Sequence, residues 1–365
     1  MIRVVLMITE LRPAGAERVV FELATRLDRS RFEPHVLALW SMGGVDGPFA
    51  QTMLDAGVPV HMLRVGSKLD LLRVPPLVGL LREIDPAILH AHLFHANLVA
   101  RLVAPLVRRP KVISTHHVVE RRRLGARMVL DRLTARADDE TVAVSEAVAS
   151  FARRECGVKK VRVIPNGVDL APFRAAEPAL DLPSRKVVGA LGRLDPQKGH
   201  ADLIRAWPLV LARHPDATLS IGGEGLLRPD LERLIARHGV ERSVTLHGHR
   251  SDVPRFLSAL SVFCMPSRWE GFGLALVEAM ACGKPCVASS VDSLPEVLGD
   301  AGVLVPVGDP VTLAQAVTAL LDDPARASSL GSLARARAER FSVEKMVEAY
   351  EKLYEEVAWH GSRNG

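Results

Sequence analysis

The sequence predicts an α/β protein made of two doubly wound parallel-sheet domains and a closing C-terminal helix. Three observations carry that prediction. Thirteen short apolar, β-branched runs alternate with longer amphipathic stretches along the chain, which is the pattern of βαβ units. Runs such as Val4-Val5-Leu6-Met7-Ile8 are continuously apolar, as suits parallel strands buried on both faces. A turn-rich segment, Pro165-Asn166-Gly167-Val168-Asp169 followed by Pro172, Pro178 and Pro183, splits the series in two and reads as a linker. The 365 residues suffice for two cores.

In the first half, strands are expected at 3–8, 35–40, 58–63, 87–90, 111–115, 140–144 and 160–164. The second half places them at 186–191, 217–221, 244–246, 262–265, 285–288 and 302–305. The expected division is a first domain at 1–168, a linker at 169–185, a second domain at 186–341 and a final helix at 342–365. Ser342 is a fitting N-cap for that helix, and Val343, Met346, Val347, Tyr350, Leu353, Tyr354 and Val357 form a one-face helical stripe.

Composition excludes several classes. With 48% apolar and 24% charged residues, the chain is neither disordered nor collagen-like. Four cysteines cannot form a disulfide framework, and none has a partner at zinc-site spacing, so all read as reduced thiols. The N-terminal apolar run meets Glu10 too soon for a signal peptide. The stretch 88–107 is interrupted by His90, His92, His95, Asn97 and Arg101, so it reads as strand and helix rather than a membrane span. A cytoplasmic protein is expected. His90, His92 and His95 have no nearby carboxylate or Cys at ligand spacing, and no metal is expected there.

Charge is uneven. Residues 1–165 hold 25 Lys and Arg against 17 Asp and Glu, whereas the remainder holds 22 against 25. A basic first half suits an anionic partner. Without an aromatic-rich strand, nucleic acid is not that partner. Arg121, Arg122 and Arg123, with Arg127, Arg132 and Arg136, offer a basic face for peripheral contact with anionic lipid. Asp138-Asp139-Glu140 reads as a solvated turn.

In open α/β sheets, ligands bind beyond the carboxyl ends of strands, so the loops there matter most. The run Arg268-Trp269-Glu270-Gly271-Phe272-Gly273-Leu274-Ala275-Leu276-Val277-Glu278 follows one strand. Its glycines permit close backbone approach at a helix start, where free N–H groups favour an anion. Glu270 and Glu278 would lie about 12 Å apart if the interval were wholly helical, far enough to bracket a nucleotide-sugar. Glu278 sits among apolar neighbours, so it requires a partner.

Gly192-Arg193-Leu194-Asp195-Pro196-Gln197-Lys198-Gly199 follows another strand. Its two cations can clamp a diphosphate. Leu11-Arg12-Pro13-Ala14-Gly15-Ala16-Glu17 opens a helix after the first strand, with amides near Gly15 open to a phosphate or sugar. The chain has neither G-x-G-x-x-G at that turn nor G-x-x-x-x-G-K-[ST] anywhere, which removes the main support for dehydrogenase and P-loop readings. His116 and His117 end a strand, where an imidazole can bond a sugar hydroxyl or a reacting oxygen. Ile221-Gly222-Gly223-Glu224-Gly225 is a further glycine turn at a strand end.

Together these motifs resemble the retaining glycosyltransferases of family 4, over essentially the whole chain. The likeness extends through Val144-Ser145-Glu146, Val163-Ile164-Pro165-Asn166-Gly167-Val168-Asp169, Leu294-Pro295-Glu296-Val297 and Val305-Pro306-Val307-Gly308-Asp309-Pro310. The resemblance implies the GT-B fold: two Rossmann-like domains facing across a cleft, with the last helix packed back on the N-terminal domain. It implies a nucleotide-diphosphate sugar as donor, UDP-linked first and GDP-linked next, and a glycan or lipid-linked acceptor of envelope polysaccharide or glycolipid synthesis. Arg193 and Lys198 would hold the diphosphate without a metal or other cofactor, and Glu278 would hold the ribose. Glu270, with the amides around Gly271, Phe272, Gly273 and Leu274, would hold the sugar. The family's Thr-x-His pattern falls on Thr115-His116-His117, which favours His117 over His116 as the active-site histidine. Interdomain closure would exclude water, and same-face attack would retain configuration.

Two positions depart from the family. Ala14 and the pair Asp292-Ser293 stand where many relatives carry glycine, and Ala14 would be penalised if its φ were positive. Competing readings are a nucleotide-sugar epimerase on the same fold and a non-catalytic sugar-nucleotide-binding scaffold.

Overall fold

The computed structural model describes residues 1–12, 14–40, 48–63, 74–119, 125–179 and 186–361. It contains all thirteen predicted strands, in two wholly parallel sheets. Arg121–Arg123, Pro13 and the linker residues 180–185 lie outside the described residues.

One unit comprises Met1–Gly167 with the last helix, Val343–Gly361. Its seven strands are β1 (Ile2–Ile8), β2 (Phe32–Ala38), β3 (Val60–Met62), β4 (Ile88–His92), β5 (Lys111–His116), β6 (Glu140–Ala143) and β7 (Arg162–Val163). Their order is β3-β2-β1-β4-β5-β6-β7, which places the switch point beside β1 and β4. Side chains alternate between the two faces. Val4, Leu6 and Ile8 pack with helix Gly15–Arg26 and with Val343, Tyr350 and Tyr354 of the last helix. Val5 and Met7 pack on the other face with Leu81, Ala96 and Ala100.

Strand β2 starts at Phe32, earlier than the expected 35–40, and includes Pro34. The Val36 N–H donates to Pro59 on the β3 side. Pro34, two residues earlier, presents its missing N–H to that same side, before β3 begins at Val60. No sheet hydrogen bond is lost, so proline is tolerated.

The other unit, Val168–Ser342, holds β8 (Val187–Leu191), β9 (Thr218–Gly222), β10 (Val244–Gly248), β11 (Val262–Met265), β12 (Cys286–Ser289) and β13 (Val303–Val305). The order is β10-β9-β8-β11-β12-β13. Its core gathers Val188, Leu203, Trp207, Leu219, Cys264 and Val317, all fully buried. Val168, expected in the first domain, and residues 169–179, expected in the linker, belong to this unit, which buries Phe173 and Ala179.

Asp138 departs from the expected solvated turn, whereas its neighbour Asp139 is exposed. The Asp138 side chain is 1% exposed and takes two hydrogen bonds from Arg101, at 2.8 and 2.7 Å, and one from Ser114 at 2.7 Å. Asp139 accepts from Lys111 Nζ at 2.8 Å and from the Val112 N–H at 2.9 Å. A buried guanidinium requires carboxylates, and Arg101 recruits Asp138 together with Asp131.

All four cysteines are free and buried. Among the described residues, no helix is long and apolar enough to cross a membrane.

Candidate functional site

Three loops of the second unit are built into one another at the carboxyl ends of β8, β11 and β12. After β8, the Asp195 carboxylate accepts the Lys198 N–H at 3.3 Å and closes a single 3-10 turn, Pro196–Lys198. Gly199 then adopts φ +65, and a Cβ there would sit 1.9 Å from the Pro266 carbonyl oxygen. Only glycine allows that backbone contact. Beside it, the Arg268 N–H donates to the Gln197 carbonyl at 2.7 Å. The Arg268 guanidinium reaches both carboxylate oxygens of Asp202, at 3.0 and 2.9 Å. Asp202 lies on helix His200–Arg213.

This stitching brings Lys198 to Glu270, with Nζ donating to Oε2 at 2.6 Å. Both side chains are largely buried. Ser267 Oγ also donates to Glu270 Oε2, at 3.4 Å. Arg193 is 67% exposed and held by Asp195 at 3.0 Å and Gln197 at 3.3 Å. His200 is buried and its pKa is lowered to about 4, by burial and by the Lys198 charge.

The peptide groups of Glu270 are held by the third loop. Its N–H donates to Asp292 Oδ2 at 3.0 Å, and its carbonyl accepts from Ser293 Oγ at 3.3 Å. Asp292 has φ +45, a left-handed conformation in which glycine is the usual residue. The Asp292 and Ser293 side chains therefore fix the Glu270 backbone.

Helix Leu274–Ala281 begins only after Gly273, whose φ of +97 breaks the helical path. The interval from Glu270 to Glu278 is thus not wholly helical, and the 12 Å spacing expected for a continuous helix does not apply. Gly271 is buried, and Phe272 packs edge-on against Phe341 with ring centroids 5.5 Å apart. Leu274 is half-buried at the helix start. Glu278 is buried on a helix whose neighbours Leu276, Val277 and Ala279 are also buried.

The first unit carries a cavity of about 330 Å³ at the carboxyl ends of β4 and β5, lined by Thr9, Glu17, His95, His116, His117 and Arg127 among others. Behind it lies a buried chain of imidazoles and hydroxyls. Tyr354 OH is 2.6 Å from His90 Nδ1, and His90 Nε2 is 2.7 Å from Thr115 Oγ1. His92 Nδ1 is 3.0 Å from His117 Nε2. Burial lowers the pKa of His90 and of His117 to about 3 each, and holds His92 and His116 below the usual range. All four imidazoles are neutral at pH 7. Among the described residues, His117 Nδ1 and His116 Nε2 are buried without a hydrogen-bond partner, so each can meet a ligand hydroxyl.

Gly15 opens helix Gly15–Arg26 in this unit, after an extended Ala14 with φ −149. Alanine therefore bears no left-handed penalty at that turn. Glu17, in the first turn, is buried and lines the cavity. Arg127 stands over the Phe94 ring at 5.4 Å and within 3.5 Å of His95 Nε2.

Sequence reasoning singled out neither Glu17 nor Asp131 as a site residue. Glu17 carried a signal, an acid in the first turn of a helix after a strand, whereas Asp131 carried none. His116, Asp131 and Cys156 place one ligand atom each within 4.8 Å of one another. The Arg101 guanidinium already bonds Asp131, so a metal cation there would face a fixed positive charge.

Comparisons with known proteins agree with this architecture. A family model described as Glycosyltransferase Family 4 matches residues 13–172, and one described as Glycosyl transferases group 1 matches residues 185–323. The chain is 31% identical over 314 residues to D-inositol 3-phosphate glycosyltransferase of Corynebacterium jeikeium, covering 76% of this chain and 74% of that one. It is 27% identical over 303 residues to the Escherichia coli UDP-Gal:alpha-D-GlcNAc-diphosphoundecaprenol alpha-1,3-galactosyltransferase, covering 76% and 77%. Anabaena HepE, solved in complex with UDP, superposes with a TM-score of 0.82 at 23% identity, over 97% of this chain and all of that one. That likeness shows the GT-B fold.

Proposed function

The chain belongs to the family 4, group 1 glycosyltransferases, and from that premise we propose that it transfers a hexose-type sugar from a nucleotide-diphosphate donor to a glycan or lipid-linked acceptor, with retention of configuration and without a metal. The observation that carries the reading is the Lys198–Glu270 contact at 2.6 Å, with Arg193 on the same loop.

Departure of a nucleoside diphosphate builds negative charge on phosphate and positive charge on the sugar. In this reading, the Arg193 fork and the Lys198 ammonium are fixed counter-charges for the phosphates. Glu270, released from Lys198 as the diphosphate takes up that cation, holds the sugar hydroxyls. The amides from Gly271 to Leu274 support the donor, and the buried Glu278 takes the ribose hydroxyls. Gly15 opens a helix whose free N–H groups suit an anionic or sugar oxygen.

His117, neutral and with one free ring nitrogen, holds the acceptor hydroxyl. Its depressed pKa makes it a weak base, which leaves the departing phosphate oxygen to receive the acceptor proton during same-face attack. The donor of the Escherichia coli relative is UDP-Gal, and Anabaena HepE binds UDP; both support a uridine donor first. The acceptor named for the Escherichia coli relative, a lipid diphosphate, supports glycolipid or envelope polysaccharide synthesis at the cytoplasmic side of a membrane.

The test supplies UDP-glucose, UDP-galactose and GDP-mannose in turn with a bacterial lipid extract, with and without EDTA. Nucleotide release and the anomeric configuration of the product are read by NMR. The expected result is release with an α-linked product, unchanged by EDTA. An inverted product, or activity lost with EDTA, contradicts the retaining, metal-free reading.

A further inference from the structure

At the opposite edge of the same sheet, the second unit has a pocket of about 560 Å³. It opens at the amino ends of β8, β11 and β12, where Lys186, Ser261 and Pro285 precede the strands. Its volume falls within the usual range for small-molecule sites. The lining includes Lys186, Lys284 and Arg335, and among the described residues it includes no acidic side chain.

Two of these cations come to the same part of the lining, Arg335 over Gly283 and Lys284 next in the chain. Gly331 of helix Pro324–Ala338 lies against the Gly283 backbone, since a Cβ there would come 2.2 Å from the Gly283 carbonyl oxygen. One turn on, Arg335 stands over Gly283, with Nε 3.3 Å from the position a Gly283 Cβ would take. Lys284 is next in the chain and donates to the Ser258 carbonyl at 2.5 Å. That bond uses one of three ammonium donors. Among the described residues, neither Lys284 nor Arg335 has a carboxylate partner. Burial lowers the Lys284 pKa; the adjacent Cys282 opposes that shift and Arg335 adds to it. A half-buried ammonium with an exposed guanidinium nearby, and no carboxylate beside either among the described residues, favours an anion.

We propose that this pocket is a second ligand site, separate from the loops around Glu270, and that it binds a soluble phosphorylated small molecule through Lys284 and Arg335. The ammonium and the guanidinium fork supply charge-assisted bonds to phosphate oxygens. Leu260, Leu320 and Leu321 provide an apolar wall for the rest of the ligand. Helix Leu274–Ala281 runs from the Glu270 loop to Cys282 in the pocket wall, which gives an occupant a direct path to the candidate active site.

The test is calorimetric titration of the full chain with inorganic pyrophosphate, comparing wild type, Arg335→Gln, Lys284→Gln and Lys198→Gln. Each pocket variant should lose about tenfold or more in one binding component, and Lys198→Gln should leave that component intact. Arg335 is exposed, so its variant decides the question even if Lys284→Gln disturbs folding. Wild-type pyrophosphate binding in Arg335→Gln overturns the proposal. A second arm separates a soluble ligand from a lipid headgroup by co-sedimentation with phosphatidylglycerol vesicles. Capture should be the same for wild type and Arg335→Gln. Capture abolished by Arg335→Gln assigns the pocket to a membrane lipid and overturns the soluble-ligand reading.

Discussion

Lys198 and Glu270 lie 72 residues apart in the chain, yet the ammonium donates to the carboxylate at 2.6 Å in a largely buried setting. Removing one partner strands the other charge. Lys198→Met and Glu270→Leu should therefore each destabilise the protein by about 1–3 kcal/mol. The double variant Lys198→Met/Glu270→Leu should recover part of that loss. Urea denaturation of the four-member cycle measures the coupling, and additive losses would show that the pair does not act as a unit.

Asp292 makes two opposed contributions to the same loop. Its left-handed φ of +45 is unfavourable, and its carboxylate takes the Glu270 N–H at 3.0 Å. Asp292→Ala loses the bond and keeps the strain, at a cost of about 1–3 kcal/mol. Asp292→Gly loses the bond but relieves the strain, and should be the milder variant by about 1 kcal/mol. Equal denaturation midpoints would show that the backbone conformation is not strained.

The last helix reaches the imidazole chain through Tyr354, whose hydroxyl lies 2.6 Å from His90 Nδ1 with both groups fully buried. Tyr354→Phe leaves His90 with an unmet ring nitrogen and should cost about 1–3 kcal/mol. An unchanged urea midpoint would rule out that bond.

Stability should fall in mild acid. His90 and His117 are held at a pKa of about 3 and His200 at about 4, whereas an unfolded-chain histidine titrates near 6.5. Between those values the unfolded state binds more protons, so stability rises with pH and is lost as pH drops below about 6.5. Each such histidine costs about 1–2 kcal/mol at pH 5. Thermal melts from pH 7.5 to pH 5 should show a steep fall in Tm, and His90→Gln should flatten it. A flat profile for the wild type would mean that these imidazoles are not kept neutral.

The strands were legible because parallel strands buried on both faces leave uninterrupted apolar runs, as in Val4–Ile8. The last helix was legible because one face of it, from Val343 to Val357, is apolar at helical spacing. The buried polar groups were not. Asp138 sits beside Asp139 and Glu140 and resembles surface, until Arg101, 37 residues away, buries it. Nor does any local period encode the left-handed Asp292 or the meeting of Arg268 with Asp202, because both depend on which loops the sheet order brings together. The motifs around Arg193 and Glu270 stood out in the sequence; their joining into one structure did not.

In the proposed reaction, the loops around Lys198, Glu270 and Glu278 hold a nucleoside diphosphate. A thermal-shift panel of UDP, GDP, ADP, CMP and dTDP on wild type and Glu278→Ala tests it most directly. A nucleotide at 100 times its dissociation constant adds about 2.7 kcal/mol, which raises Tm by roughly 5–11 °C for a domain of 150–250 residues. One diphosphate, UDP first, should give a rise of that size, which Glu278→Ala abolishes. No shift with any nucleotide, or an equal shift in Glu278→Ala, would contradict it.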